Sequence, residues 1–447
     1  MRMGNGSPKV NGNLVKPSES TPLLPHGNVH HRALSSSCKT FFNIVITVVG
    51  AGVLGLPYAF KQSGWLQGLL ILAGTSAAMY YCMMLLVWCR RHLEREGIVG
   101  SVDTYSELGY HTLGAAGQFA VDAMIVLSQG GFCVAYLIFI GENLASVFAR
   151  ENSLTSPLLS SHDDPTRALA SVSGMGFPRL DWKKKEVYVW IVLPLQVLLA
   201  FIRSLTHLAP FSMFADIVNV AAMGVVMTTE FAAIVTGSGE HVVAFTGLKN
   251  LLFAIGVAIY AVEGISLVLP LESEYQERPK FARILAAAMC FITFLYTVFA
   301  LLGYLAFGDY TKDIFTLNLG NSWQTVVVKL CLCTGLVFTY PMMMHPVYEV
   351  AERRLSLRGS SSQVLRTLIV LCTAWIAVSV PHFGSFLSLV GSSVCCLLSF
   401  VLPGWMHLRV FGDSLSLVSR SLDWLLIVGG VVFGILGTMS SINDIRW

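Results

Sequence analysis

Two apolar segments of this chain are broken in the same way, and those breaks decide what it can fold into. The first reads Thr47-Val48-Val49-Gly50-Ala51-Gly52-Val53-Leu54-Gly55-Leu56-Pro57. The second reads Gly256-Val257-Ala258-Ile259-Tyr260-Ala261-Val262-Glu263-Gly264-Ile265-Ser266-Leu267-Val268-Leu269-Pro270. Glycine and proline both weaken a helix, yet each run lies in an apolar stretch long enough to enter a bilayer. Backbone groups freed at such a break cannot face lipid, so they must line a cavity or hold something. Discontinuous helices at matching positions of two halves are the sequence mark of a solute-binding site in a membrane carrier. Glycines that serve close helix packing would explain one such segment, but two in register point to a site.

The rest of the chain agrees with a membrane setting. It is 54% hydrophobic and 12% charged, against about 25% charged in soluble domains. Apolar spans fall at about 40–60, 64–89, 117–148, 187–206, 210–236, 246–270, 284–307, 323–348, 364–382, 384–408 and 422–444, which predicts eleven transmembrane helices. Ten or twelve spans are the alternatives, because the boundaries near 203–210 and 382–384 are weak. Residues 1–37 read as a disordered tail. Five spans precede the second broken helix, so the second set of five enters from the opposite side. The expected fold is all-α, with a first inverted repeat over 38–236 (including a long loop at 149–186), a second over 246–408, and an extra helix within 422–447. Arg90, Arg91, Arg95, Arg278, Lys280, Arg283, Arg353, Arg354 and Arg358 would share a side with the basic tail, which predicts a cytosolic amino terminus. The ten cysteines avoid the long loop, so no disulfide framework is expected.

The stretch Val49-Gly50-Ala51-Gly52-Val53-Leu54-Gly55-Leu56-Pro57-Tyr58-Ala59-Phe60 resembles the first-helix signature of the amino acid/auxin permease family, and Glu263-Gly264-Ile265-Ser266-Leu267-Val268-Leu269-Pro270-Leu271-Glu272 its sixth-helix signature. Ser128-Gln129-Gly130-Gly131-Phe132 and Gly303-Tyr304-Leu305-Ala306-Phe307-Gly308 fit as well. The resemblance spans roughly residues 36–444 and is closest to plant vacuolar neutral and aromatic amino acid transporters. It implies a LeuT-like fold of five plus five helices in the APC superfamily, with an amino acid as solute.

A zwitterion needs a partner for each charge. Its carboxylate would suit the amides of a half-helix starting at Gly52 to Gly55, and its ammonium the carbonyls around Tyr260 to Gly264. The expected substrate-binding set is therefore Thr47, Gly50, Ala51, Gly52, Gly55, Tyr260, Glu263 and Gly264, with Tyr58, Phe253 and Tyr340 as further candidates for an apolar side-chain pocket. No lone charge is placed to read a charged side chain, which favours neutral substrates. Among carboxyl groups within spans, Glu263 lies deepest and at the break itself. Desolvation disfavours its charged form, which suits binding and release of a proton near the pH of an acidic compartment. Capping the broken helix is the rival role. Asp216 and Glu230 are second-rank proton-coupling candidates, whereas Asp122, Lys329 and Glu349 lie near span ends, with Lys329 expected to snorkel. Animal relatives with proton coupling carry a histidine early in the first helix where this chain has Asn43. Sodium is the rival ion, held by unwound carbonyls, Thr47 and a hydroxyl such as Thr334.

The tail holds Glu19-Ser20-Thr21-Pro22-Leu23-Leu24, which resembles a dileucine sorting signal read by adaptor complexes on vacuolar membrane proteins. The expectation is a secondary carrier of neutral or aromatic amino acids in the vacuolar membrane, driven by protons toward the cytosol. A membrane sensor that binds without turnover is the alternative. The sequence has no zinc motif, nucleophile elbow or phosphate loop, so neither an enzyme, a cofactor, a metal site nor a nucleic-acid partner is expected.

Overall fold

In a computed structural model of the chain, the described residues are 36–97, 100–148, 184–202, 205–235, 242–320, 322–357 and 359–446. All regular elements among them are helical. The broken first span comprises α1 (Ser37–Val48) and α2 (Leu56–Ser63), with a 3₁₀ turn at Ala51–Gly55 between them. Three helices follow, α3 (Trp65–Arg95), α4 (Tyr105–Phe148) and α5 (Lys185–Ala200), and then α6 (Leu205–Val235). The second broken span is α7 (Leu248–Val262), a 3₁₀ turn at Ile265–Leu267 and α8 (Val268–Glu274). The chain continues through α9 (Phe281–Phe307), α10 (Trp323–Leu355) and α11 (Ser360–Ser379). The last two spans are α12 (Phe383–Val390) running through π-helical turns at Gly391–Cys395 and Leu397–Val401 into α13 (Leu402–Phe411), and α14 (Leu417–Arg446).

Nine of these stretches are long and apolar enough to cross a membrane, and α1 with α2 makes a tenth, bent by 49°. The 16-residue α5, expected as one of eleven spans, falls short of that length. At 1.5 Å per residue α5 is about 24 Å long, a little short of a hydrocarbon core. Helix ends are set locally. Ser36 and Ser322 cap α1 and α10 through side chains that accept from Lys39 N and Thr325 N. Gly64, at φ 87°, turns α2 into α3, and a Cβ there would lie 2.5 Å from the Ala244 backbone.

The bundle is closed by small residues at helix crossings. A Cβ on Gly391 would sit 1.9 Å from the Gly256 carbonyl oxygen, so α7 and the first π turn touch backbone to backbone. The π turns loosen backbone pairing, and side-chain bonds to neighbouring helices pin the stretch. Tyr105 donates its hydroxyl to Leu398 O at 2.9 Å, and Cys396 Sγ donates to Gly430 O at 3.3 Å. The segment joining α9 to α10 folds back into the bundle and buries Ile314, Phe315 and Thr316, with Thr316 donating to Asn143 Oδ1 at 2.6 Å.

Gly114 (φ 72°) breaks α4, so a short polar arm up to Leu113 precedes a span that starts just beyond the kink, close to the expected 117. One feature differs from the sequence expectations. Lys329 does not snorkel; it is 2% exposed, and its Nζ donates to Ser146 Oγ at 3.1 Å.

Candidate functional site

The two breaks face each other. α1 makes its last helical bond from Val49 N to Val45 O, and then Val49 and Gly50 run extended before the 3₁₀ turn. α7 ends at Val262; Glu263 is extended and Gly264 follows at φ −177°. A Cβ on Gly52 would meet the Tyr260 ring at 2.9 Å and Ala261 Cα at 3.0 Å. In return, a Cβ on Gly264 would meet Val48 Cγ2 at 2.8 Å. Each glycine therefore makes room for a residue of the other break, and close approach, not backbone strain, explains both.

Freed backbone groups are met in two ways. Tyr296 of α9 donates its hydroxyl to Val48 O at 3.0 Å. The Ile265 backbone N–H lies beside the Glu263 carboxyl across the second break. Its Oε1 is buried with no hydrogen-bond partner among the described residues. Tyr105 and Cys395 are titratable neighbours of Glu263. Tyr260 packs edge-on against Phe132 with centroids 4.8 Å apart, and its hydroxyl is likewise buried without a partner among the described residues.

A cavity of ≈ 20 Å³ lies against the first break, bounded by Val49, Gly50, Ala51 and Val53 together with Asn219, Met223, Leu332 and Leu336. That is room for about one water molecule. Larger spaces open toward the two ends of the bundle. At the end where α2 finishes, a vestibule of ≈ 580 Å³ is lined by Tyr58, Lys61, Gln62, Phe253, Asp313 and Asp444. The rings of Tyr58 and Phe253 meet in its wall at 5.7 Å and 80°. At the end where α1 begins, a space of ≈ 240 Å³ is lined by Tyr105, Asp122, Gln129, Ser266, Pro270 and Arg353.

Ion pairs brace this second end. Arg90, wholly buried, donates to Leu269 O at 3.1 Å and faces Glu272, which also takes Arg91 at 2.7 Å. α8 is thereby tied to α3. Asp122 accepts from Arg353 and Arg354 at 3.0 and 2.9 Å, which ties α4 to α10.

The structure brings together Gly50, Ala51, Gly52, Tyr260, Glu263 and Gly264. A Cβ on Gly55 would meet Leu387 and Phe383 just beyond, and Thr47 is half-buried in the last turn of α1. Tyr58 and Phe253 belong to the vestibule, and Tyr340 packs elsewhere, its hydroxyl 2.7 Å from Thr373 Oγ1. Thr334 is exposed and donates to Leu330 O, so it turns away from the break. Glu230 is buried with neither oxygen partnered among the described residues. It lies on the Met223 face of α6, about 10 Å further along. Asp216 lies on α6, but its side chain is outside the described residues, as are Glu19, Leu23 and Leu24. Sequence reasoning missed Tyr296 and Asn219, since neither carries a motif. It also missed the Arg90–Glu272 pairing, because charges at span ends look like ordinary flanks.

Helices broken at matched points, meeting at mid-bundle between two vestibules, define a multi-pass membrane carrier of the LeuT-like class. The crystal structure of MhsT in complex with L-phenylalanine shares the fold, with a TM-score of 0.50 at 13% identity over 92% of this chain and 99% of that one. Residues 34–443 match the family described as transmembrane amino acid transporter protein, and the chain belongs to that family, the amino acid/auxin permeases. It is 46% identical to the amino acid transporter AVT3C of Arabidopsis thaliana over 96% of this chain and 94% of that protein. It is 47% identical to AVT3B over 96% and 97%, and 38% identical to ANT1 over 91% and 92%, both from the same plant. The protein is an amino acid transporter.

Proposed function

We propose that this transporter carries neutral amino acids, aromatic ones included, from the vacuole to the cytosol by symport with protons. The observation that carries the reading is the pairing of the breaks, with Glu263 buried beside them and one of its oxygens unpartnered. The unwound backbone supplies amides and carbonyls for a zwitterion, while Tyr260 and Phe132 offer an apolar wall. Among residues touching the breaks, Glu263 is the ionisable carboxyl, which supports neutral side chains and a proton as the coupling ion. Sodium draws less support, since Thr334 faces away. The vacuolar address rests on the dileucine-type motif at Glu19, Leu23 and Leu24 and on the family resemblance; an adaptor complex would read that motif.

With the amino terminus in the cytosol, the ≈ 580 Å³ vestibule faces the vacuolar lumen and the ≈ 240 Å³ space faces the cytosol. The ≈ 20 Å³ cavity against the first break is too small for an amino acid, which supports a bundle that moves during passage, as in alternating access. The test is uptake of labelled neutral amino acids into proteoliposomes with and without a pH gradient, for the intact chain and for Glu263→Gln. Gradient-driven uptake that collapses in the variant while binding survives supports the reading. Binding without uptake under any gradient would replace the carrier with a sensor.

A further inference from the structure

A groove of ≈ 380 Å³ opens sideways between α3, α7, the π-helical stretch and α14, well away from the breaks' own cavity. Its floor is Ile255 and Ile259 of α7 with Cys396 and Phe400 of the π stretch, and its rim is Leu70 and Leu425, both exposed. Gly74 and Gly429 keep it wide, since a Cβ on either would meet nothing within 4 Å. We propose that this groove is a binding site for one acyl chain of a membrane phospholipid.

The occupant follows from depth and chemistry. Leu70 to Ala78 lie roughly 8–20 Å along α3 from its start, which is hydrocarbon depth, so what reaches the groove laterally is lipid tail. Thr75 and Cys396 are its polar side chains, and the Cys396 thiol is already spent on Gly430 O. A sterol would need a partner for its hydroxyl at headgroup level, whereas Thr75 sits about 15 Å down the helix. A flexible chain needs no such partner. In a bilayer there is no hydrophobic gain in moving a tail from lipid to protein. What holds it is dispersion contact with walls that would otherwise lack neighbours.

The position gives the site a consequence. Ile259 is one turn before Val262, the last residue of α7, and Phe400 lies in the π turn beside Leu398, whose carbonyl takes Tyr105. A chain in the groove braces the helix that ends at Glu263 and the π stretch packed against it. α14, outside the ten-helix repeat, forms the outer wall, so the extra helix serves to build this site. The inference rests on the membrane fold and is independent of which amino acid or ion is carried.

The test uses full-length protein in proteoliposomes doped with phosphatidylcholine bearing a diazirine midway along one acyl chain. After irradiation, labelled peptides are mapped by mass spectrometry in the wild type, in Gly429→Phe and in Gly74→Phe. Labelling should concentrate on the segments 255–259 and 425–433 and should fall roughly tenfold, to the level of other lipid-facing helices, when either phenylalanine fills the groove. Even labelling around all lipid-facing helices of the wild type overturns the proposal, whether or not the variants fold. Unchanged labelling in a folded variant does the same. A diazirine sterol that labels the groove and excludes the acyl probe overturns the assignment of the occupant.

Discussion

The two breaks solve one problem with different means. At the first, the freed Val48 carbonyl is met from outside by the Tyr296 hydroxyl of α9. At the second, the freed Ile265 amide has the Glu263 carboxyl beside it, from within the same segment. A phenol keeps its proton throughout the range in which a carboxyl exchanges one. The first break is therefore held by a bond indifferent to proton binding, and the second lies against a group whose protonation changes what it can accept. Structural asymmetry of this sort allows one half of a pseudo-symmetric carrier to be rigid while the other responds to a proton.

The largest expected effect is that of Glu263→Gln. The amide matches the carboxyl in size and can sit beside Ile265 N–H in the same way, so the break should keep its shape, while the proton site is lost. Gradient-driven uptake is expected to fall by about a hundredfold or more, the scale at which a positioned proton-transfer group contributes. Thermal stability should hold, and substrate exchange without a gradient should persist. Pronounced unfolding of the variant would show that Glu263 acts chiefly as a cap and would erase the contrast between the breaks.

The next effect sharpens the comparison through packing. Gly52→Ala places a methyl 3.0 Å from Ala261 Cα as well as against the Tyr260 ring, and backbone cannot move aside. Gly264→Ala meets Val48 Cγ2, a side-chain atom that can shift. Overpacking costs about 1–3 kcal/mol, and Gly52→Ala should lie at the upper end and Gly264→Ala at the lower. Transport at matched expression and midpoints of thermal unfolding would rank them. A reversed order would mean that the second break is the more rigid.

Much of this arrangement was legible in the sequence, for a physical reason. Glycine and proline inside an apolar span are costly unless the break is used, so Gly52 to Pro57 and Gly264 to Pro270 announce themselves. Long apolar runs fix the spans in the same way, and their ends moved by only a few residues, while the polar arm before Gly114 is a separate short helix that no apolar run marks. What the sequence hides is partnership. Nothing near Tyr296 says that its hydroxyl reaches Val48, 248 positions away. Nothing marks Lys329 as buried or Thr334 as outward, because a helix of uniformly apolar residues does not declare which face meets protein and which meets lipid.

Tyr296→Phe carries the smallest expected effect and the cleanest discrimination. The substitution removes one oxygen, leaves the ring in place, and strands the Val48 carbonyl in a buried site. An unsatisfied buried acceptor costs about 1–3 kcal/mol, and the unwound segment can recover part of that by relaxing. The unfolding midpoint should therefore drop modestly and uptake should fall severalfold. The pH dependence of uptake should not move, because the lost bond involves no group that exchanges a proton in the working range. Glu263→Gln should give the opposite pattern, with stability kept and pH dependence abolished. If Tyr296→Phe also flattened the pH profile, the two breaks would have to act as one coupled unit, and proton binding at the second would be transmitted through the first.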